Sequence, residues 1–213
     1  MNVSAVIVTR GNVDPQEIID SIPQGWEIVI WDNGEKLVSR SDGYSEVATD
    51  CSVYGRYAAI EYASHDLIYV QDDDVIVSDP QAIVDAWDRI RLSPAWTAGV
   101  ACNMPQEFRH DGYTDSALVG FGAAFHRSAP ARAFERFRER WPGGAGFDVM
   151  FNRTCDVVFT VMTNGPRGDG IELVDVPKVN REFAEDVDRM YRQPDHVGER
   201  ARMLDLAREA RDS

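Results

Sequence analysis

Three adjacent carboxylates, Asp72, Asp73 and Asp74, stand between two apolar runs in "LIYVQDDDVIV" (Leu67–Val77). Like charges held between buried segments repel one another at short range and lose hydration. A hard divalent cation relieves that cost, because such ions prefer carboxylate oxygens. For the motif alone, a solvated acidic turn is the competing reading, with Asp79–Pro80 close behind it. A second acid of interest is Asp156, in the mixed polar and apolar stretch "TCDVVFTVM". Local sequence alone allows it to be a catalytic carboxylate or an exposed helix acid.

Such residues do chemistry only if the chain brings them to one place. "VSAVIV" (Val3–Val8), "WEIVIWD" (Trp26–Asp32), "DLIYVQDDD" and "TAGVACNM" (Thr97–Met104) read as strands. Helical patterns lie between them at Asp14–Ile22, Tyr54–Ser64 and Asp79–Leu92, two of them opened by Asp-Pro. Strand–helix alternation predicts an open α/β sheet with largely parallel strands. Ligands of such sheets bind at the carboxyl ends of the strands. Thr9–Arg10, Asp32–Asn33 and Asp72–Asp74 all fall at such ends, so three strands deliver polar residues to one edge. The second half is less regular. A Gly-interrupted strand is expected within Glu107–Arg127, and an amphipathic helix over Ala129–Trp141. A helical segment around Asp156–Met162, a strand at Ile171–Pro177 and a charged helix after His196 follow.

The 213 residues, 44% of them hydrophobic, suffice for one domain with a full core. The expected division is a regular strand–helix half (1–104) and a less regular half (105–213). A net charge of −14 counts against general binding of nucleic-acid backbones, although Arg132–Arg140 forms a local basic stretch. Lys36 and Lys178 are the only lysines, so most positive charge is arginine, which suits bidentate recognition of phosphates and carboxylates. Cys51, Cys102 and Cys155 are widely spaced and form no CxxC pair, as expected of free thiols in a reducing compartment. With no basic leader before the first apolar run and no stretch near ~20 apolar residues, a cytoplasmic protein without a membrane span is expected.

The layout resembles nucleotide-sugar glycosyltransferases of the GT-A fold, which carry a DXD motif at the end of a central strand. More narrowly, it resembles glycosyltransferase family 64, the exostosin-like GlcNAc/GalNAc transferases. "AVIVTR" is similar to that family's first strand, and "IVIWDNG" to its second. "GRY" resembles its N-R-F segment and "QDDDVIV" its L-D-D-D-V. "FGAAFHR" resembles its G-A-A-F-x-H-K block and "TCDVVFTVM" its C-[DE]-D-I-A-M-N-F block. Asp32 stands where the family has Asn, and "CDVV" has one acid where the family has two. Glycosyltransferases of family 2 share the DXD and the base-binding Asp, and are the broader relationship.

The resemblance implies a metal-dependent glycosyltransferase moving a sugar from a UDP-sugar, of GlcNAc or GalNAc type, to a hydroxyl acceptor, with retention expected. Asp74 would bind Mn²⁺ or Mg²⁺ directly, with Asp72 nearer the ribose or a metal-bound water and Asp73 either a ligand or turned away. Thr9 and Arg10 would lie against the nucleotide, and Arg10 and Arg56 would hold the diphosphate unless they are surface ion pairs. Asp32 or Asn33 would meet the uracil edge. Gly120, Gly122 and Ala123 suit close approach of a ligand, or tight packing. Asp156 would be the catalytic carboxylate, and His196 a further metal ligand or a helix cap. The acceptor class stays open: polysaccharide, lipid-linked sugar, protein, or hydroxymethylated DNA bases. A partner protein or a second copy of the chain could complete the acceptor site. A catalytically silent nucleotide-sugar binding module is the reading outside enzymes.

Overall fold

The short β-branched runs form strands and the amphipathic stretches between them form helices. The computed structural model describes residues 1–11, 13–35, 37–41, 45–47, 50–91, 99–109, 115–166, 168–181 and 193–213. In chain order the strands are β1 (Val3–Thr9), β2 (Glu27–Asp32), β3 (Leu37–Arg40), β4 (Ser45–Val47) and β5 (Leu67–Asp72). They continue with β6 (Val75–Val77), β7 (Val100–Asn103), β8 (Ala123–His126), β9 (Ile171–Val174) and β10 (Lys178–Asn180). The helices are α1 (Gln16–Ser21), α2 (Gly55–Ala58), α3 (Pro80–Arg91), α4 (Ala129–Arg140), α5 (Ala145–Asn164) and α6 (His196–Asp212).

Eight strands make one sheet in the order β4-β3-β2-β1-β5-β8-β7-β9. β1 pairs in parallel with β2 and β5 at its centre. Only β3 and β8 run against the other strands of this sheet. The mostly parallel α/β sheet expected from the alternation is therefore present, with one reversed strand, β8, inserted beside β5. β6 and β10 form a separate two-stranded ribbon.

Successive side chains of a strand point to opposite faces. In β1 and β5, Val6, Ile68 and Val70 enter one core. Val3, Ala5, Ile7, Leu67 and Tyr69 enter the other. α2, α4, α5 and α6 contribute to the first core and α1 and α3 to the second, giving a three-layer sandwich. Asp79 caps α3 by accepting from the Ala82 backbone N–H at 3.1 Å, which is why Asp-Pro opens a helix here.

Three expectations are corrected in detail. The helix around Asp156 extends over all of Ala145–Asn164, because it is buried on most of its circumference and lacks a one-sided stripe. The Tyr54–Ser64 pattern becomes one short α-helical turn, α2, between 3₁₀ turns at Ser52–Tyr54 and Ala59–Tyr62. β3 and β4 carry too few apolar residues to announce themselves. The start of the expected fourth strand, Thr97–Ala98, lies outside the described residues, as does 110–114 of the expected loop.

Candidate active site

The parallel register puts the strand ends side by side. Thr9 faces Asp32 across β1–β2, and Val8 faces Asp72 across β1–β5. Asp73 and Asp74 form the tight turn from β5 into β6. Alternation then sorts the strand end of β5: Gln71 falls on the Tyr69 face and Asp72 on the face covered by α2 and α5.

Gln71 is buried and stiffens the turn. Its side-chain amide donates to the Val75 carbonyl at 2.6 Å, and its oxygen accepts from the Tyr69 hydroxyl at 2.6 Å. Arg181 holds the same turn from outside. Its backbone N–H donates to the Asp74 carbonyl at 2.8 Å and its guanidinium to the Asp73 carbonyl at 3.2 Å.

On the other face of β5, Arg56 is buried and joins two acids. It donates to Asp72 Oδ1 at 2.5 Å and to Asp156 Oδ2 at 2.9 Å. Tyr57, next along α2, donates its hydroxyl to Asp156 Oδ1 at 2.6 Å. One turn of helix thus supplies both donors to Asp156, which arrives from α5. Burial pushes the Tyr57 hydroxyl well above the usual tyrosine range, and Asp156 adds to the push, so it is a permanent donor. Burial raises the Asp72 carboxyl to about 7; Arg56 pulls it down, while Asp74, Asp156 and Asp73 push it up. Its side chain nevertheless keeps 32% of its surface open, toward the turn. Burial likewise raises Asp73 to about 6, against a hydrogen bond from Thr9.

Oxygen-rich and closely spaced, Asp72–Asp74 offer the carboxylate oxygens that a divalent cation takes. Among the described residues no group of three His, Cys, Asp or Glu side chains, Asp72–Asp74 included, is arranged to hold a metal ion by itself. That suits an ion held by one or two carboxylates and completed by phosphate oxygens, the usual arrangement for Mg²⁺. His196 opens α6 rather than joining the acidic turn, and its Nδ1 is buried without a hydrogen-bond partner among the described residues. Burial lowers its pKa; Arg200 and Arg153 add to this and Asp156 opposes it, so the ring lies in the field of Asp156.

The remaining expected site residues separate into two groups. Asp32 stays partly open, and its Oδ1 accepts from the Gly34 and Glu35 N–H groups at 2.8 and 3.0 Å. Arg10 is exposed at the end of β1. Asn33, by contrast, is occupied by the fold. Its oxygen accepts from the Trp31 indole at 2.8 Å and the Cys51 N–H at 3.1 Å, and its amide donates to the Ser52 carbonyl at 2.9 Å. Gly122 and Ala123 also turn inward. A Cβ on Gly122 would lie 2.8 Å from Ile83 Cδ1, and Ala123 is a core residue of β8. The glycine that meets the site is Gly120, where a Cβ would lie 1.9 Å from Asp72 Oδ2. Arg56 is a bridge between acids rather than a group facing outward. Tyr57, Gln71 and Arg181 were not singled out by the sequence; the signal for Tyr57 was a hydroxyl in "GRY" where the similar family segment ends in Phe.

With this geometry established, the solved structures decide the architecture. S. aureus TarS 1–349 superposes with a TM-score of 0.54 at 13% identity, covering 97% of this chain and 65% of that one. The fold is GT-A. The same TarS chain in complex with UDP-GlcNAc gives a TM-score of 0.54 at 12% identity, with 97% and 66% covered. The GT-A chain described here therefore spans less than two thirds of the TarS chain it matches. A Drosophila beta-1,4-galactosyltransferase 7 mutant in complex with manganese, UDP-Gal and xylobiose is also similar, at 12% identity over 90% of this chain and 73% of that one. Its TM-score of 0.37 carries nothing further. No protein-family model and no curated protein matches the chain. Among the described residues no helix is long and apolar enough to cross a membrane.

Proposed function

We propose that this GT-A chain is a metal-dependent glycosyltransferase that uses a UDP-sugar, of GlcNAc or GalNAc type, as donor. The observation that carries the proposal is the line Asp72–Arg56–Asp156, in which a buried arginine ties an acid of the DXD turn to the acid on α5. An inert acidic turn has no need of that connection. The broad fold likeness to TarS, which has been captured with UDP-GlcNAc, supports the donor class. The relationship to family 64 in particular rests on the quoted motifs, and family 2 remains the broader frame.

In this reading Asp74 and Asp72 hold Mn²⁺ or Mg²⁺, which when bound offsets the charge of the departing diphosphate. Residues 1–104 form the donor half. Asp32 takes the uracil edge with the oxygen its turn leaves open, Thr9 orients Asp73, and Arg10 reaches the diphosphate. Residues 105–213 supply Asp156 and the acceptor side. Asp156 faces the reacting carbon as a fixed negative charge, held by Arg56 and Tyr57. In a retaining transfer it stabilises the developing cationic sugar, and in an inverting one it takes the acceptor proton. The anomeric configuration of the product distinguishes the two.

The test is thermal. At 100 times its dissociation constant a ligand adds about 2.7 kcal/mol of stability. UDP with Mn²⁺ is expected to raise the melting temperature, EDTA to remove most of the gain, and Asp74→Ala to abolish it. Equal stabilisation by UDP in EDTA and in Mn²⁺ would refute the metal role. Tighter binding of GDP than UDP would refute the donor.

A further inference from the structure

β10 sets Lys178 opposite Val77, three residues beyond Asp74, and Asp74 is among the charges that act on it. Its ammonium stands 3.9 Å from the centre of the Phe121 ring and 5.7 Å from that of Phe108. The two rings meet edge to face at 5.2 Å. Phe121 follows Gly120, the residue with no room for a Cβ against Asp72, so the platform begins where the site ends. All three side chains are half-buried. Burial lowers the Lys178 pKa, and Glu107 and Asp74, the acids in its field, oppose that shift.

An ammonium has three donors. Among the described residues one is used, on Asn180 Oδ1 at 2.8 Å. The neighbouring arginines are committed elsewhere: Arg109 donates to the Met104 and Val174 carbonyls, and Arg181 pairs with Glu17 and the turn. In a chain of net charge −14, a desolvated cation on an aromatic face beside the acids is the feature that admits a further anion. Phe121 is covered by the ammonium and packs on the core, so the half-buried Phe108 ring is the apolar surface for a pyranose here.

We propose that Lys178, standing over Phe121 beside Phe108, is an acceptor subsite that takes a sugar carrying a phosphate or a carboxylate. This rests on the donor reading above, since it places the acceptor next to Asp72–Asp74. It adds to that reading the chemical class of the acceptor. The same ammonium could serve only one other anion nearby, the donor's own diphosphate, and the experiment separates the two.

Glucose 6-phosphate, glucuronic acid and glucose are titrated into the protein by NMR, with and without UDP and Mn²⁺. The two anionic sugars are expected to bind at least about tenfold more tightly than glucose, the scale of one charge-assisted hydrogen bond. High salt should narrow the gap. Lys178→Gln should remove the preference and leave the affinity for UDP unchanged. Phe108→Leu, which keeps the charge, should weaken all three sugars alike. Equal binding of the three sugars to the wild type, or a preference that survives Lys178→Gln, overturns the subsite. A loss of UDP affinity in Lys178→Gln overturns it too, assigning the ammonium to the donor diphosphate. Failure of UDP to bind the wild type would sink the donor reading, whereas the titrations without UDP still decide the anion subsite.

Discussion

Glu27 and Asp72 are both carboxylates on the strands that flank β1, β2 and β5, at opposite ends of one sheet, and their surroundings differ in kind. At the amino end, Glu27 accepts from four donors: the Ser4 hydroxyl, the Ser64 N–H, the Ser64 hydroxyl and Arg40. Burial opposes its ionisation, but those donors outweigh burial and hold it below the usual glutamate range. At the carboxyl end, Asp72 has Arg56 and three other acids around it, and burial lifts it to about 7. One carboxylate is spent on building the sheet. The other is kept short of positive charge, at the edge where open α/β sheets bind ligands. The difference teaches that acid residues alone do not mark a site; the ratio of donors to carboxylates does.

The strongest way to break this comparison is through Asp156, which shares Arg56 with Asp72. Asp156→Asn keeps the size and removes the charge. Turnover, followed as donor hydrolysis where no acceptor is known, should fall on the order of 100-fold. UDP affinity should stay near that of the wild type. Lost turnover together with lost UDP binding would make Asp156 a structural acid like Glu27, and unchanged turnover would remove it from the chemistry.

How far the sequence revealed this arrangement depends on what each residue's role required. The convergence of Thr9, Asp32 and Asp72 was legible because short apolar runs ending in polar residues mark strand ends, and parallel register aligns them. The reversal of β8 was not, because pairing direction is decided by what lies across the sheet, not by the strand's own residues. Asn33 reads as a ligand-binding residue in sequence, yet its three hydrogen bonds join residues 31, 51 and 52 inside the fold. Gly122 and Gly120 are indistinguishable on paper; only the neighbouring Asp72 carboxylate separates them. Arg56 carries the right charge for a diphosphate, but its partners lie 16 and 100 residues away, beyond any local pattern.

A finer test sharpens the comparison at the donor count itself. Tyr57→Phe removes one of the two donors to Asp156 among the described residues and leaves the ring packed against Phe134 and Phe159. A single neutral-to-charged hydrogen bond is worth about 1.5–3 kcal/mol, so turnover should fall by at least about tenfold while melting temperature and UDP affinity change little. If turnover is unchanged, Arg56 alone holds Asp156. If the protein is instead strongly destabilised, the hydroxyl belongs to the core rather than to the site.

The smallest effect is expected at the opposite end of the sheet, and it reads stability rather than turnover. Glu27→Gln leaves one oxygen to accept and sets an amide donor against groups that themselves donate, the Ser64 N–H and Arg40. The cost should be about 1–2 kcal/mol, measured by denaturant unfolding at neutral pH, with donor turnover at the other end unaltered. The pH dependence has a definite sign. Glu27 is more acidic folded than unfolded, where its ordinary value is near 4.5. Its stabilising effect is therefore complete above that value and is lost as pH falls below it through the lowered folded value. The glutamine variant does not titrate, so the stability gap between the two proteins should be widest at neutral pH and close as the solution is acidified below 4.5. A gap that holds steady through acid would mean that packing at residue 27, not its charge, ties β2 to Ser4 and Ser64. In that case the contrast with Asp72 would be one of shape rather than of donors.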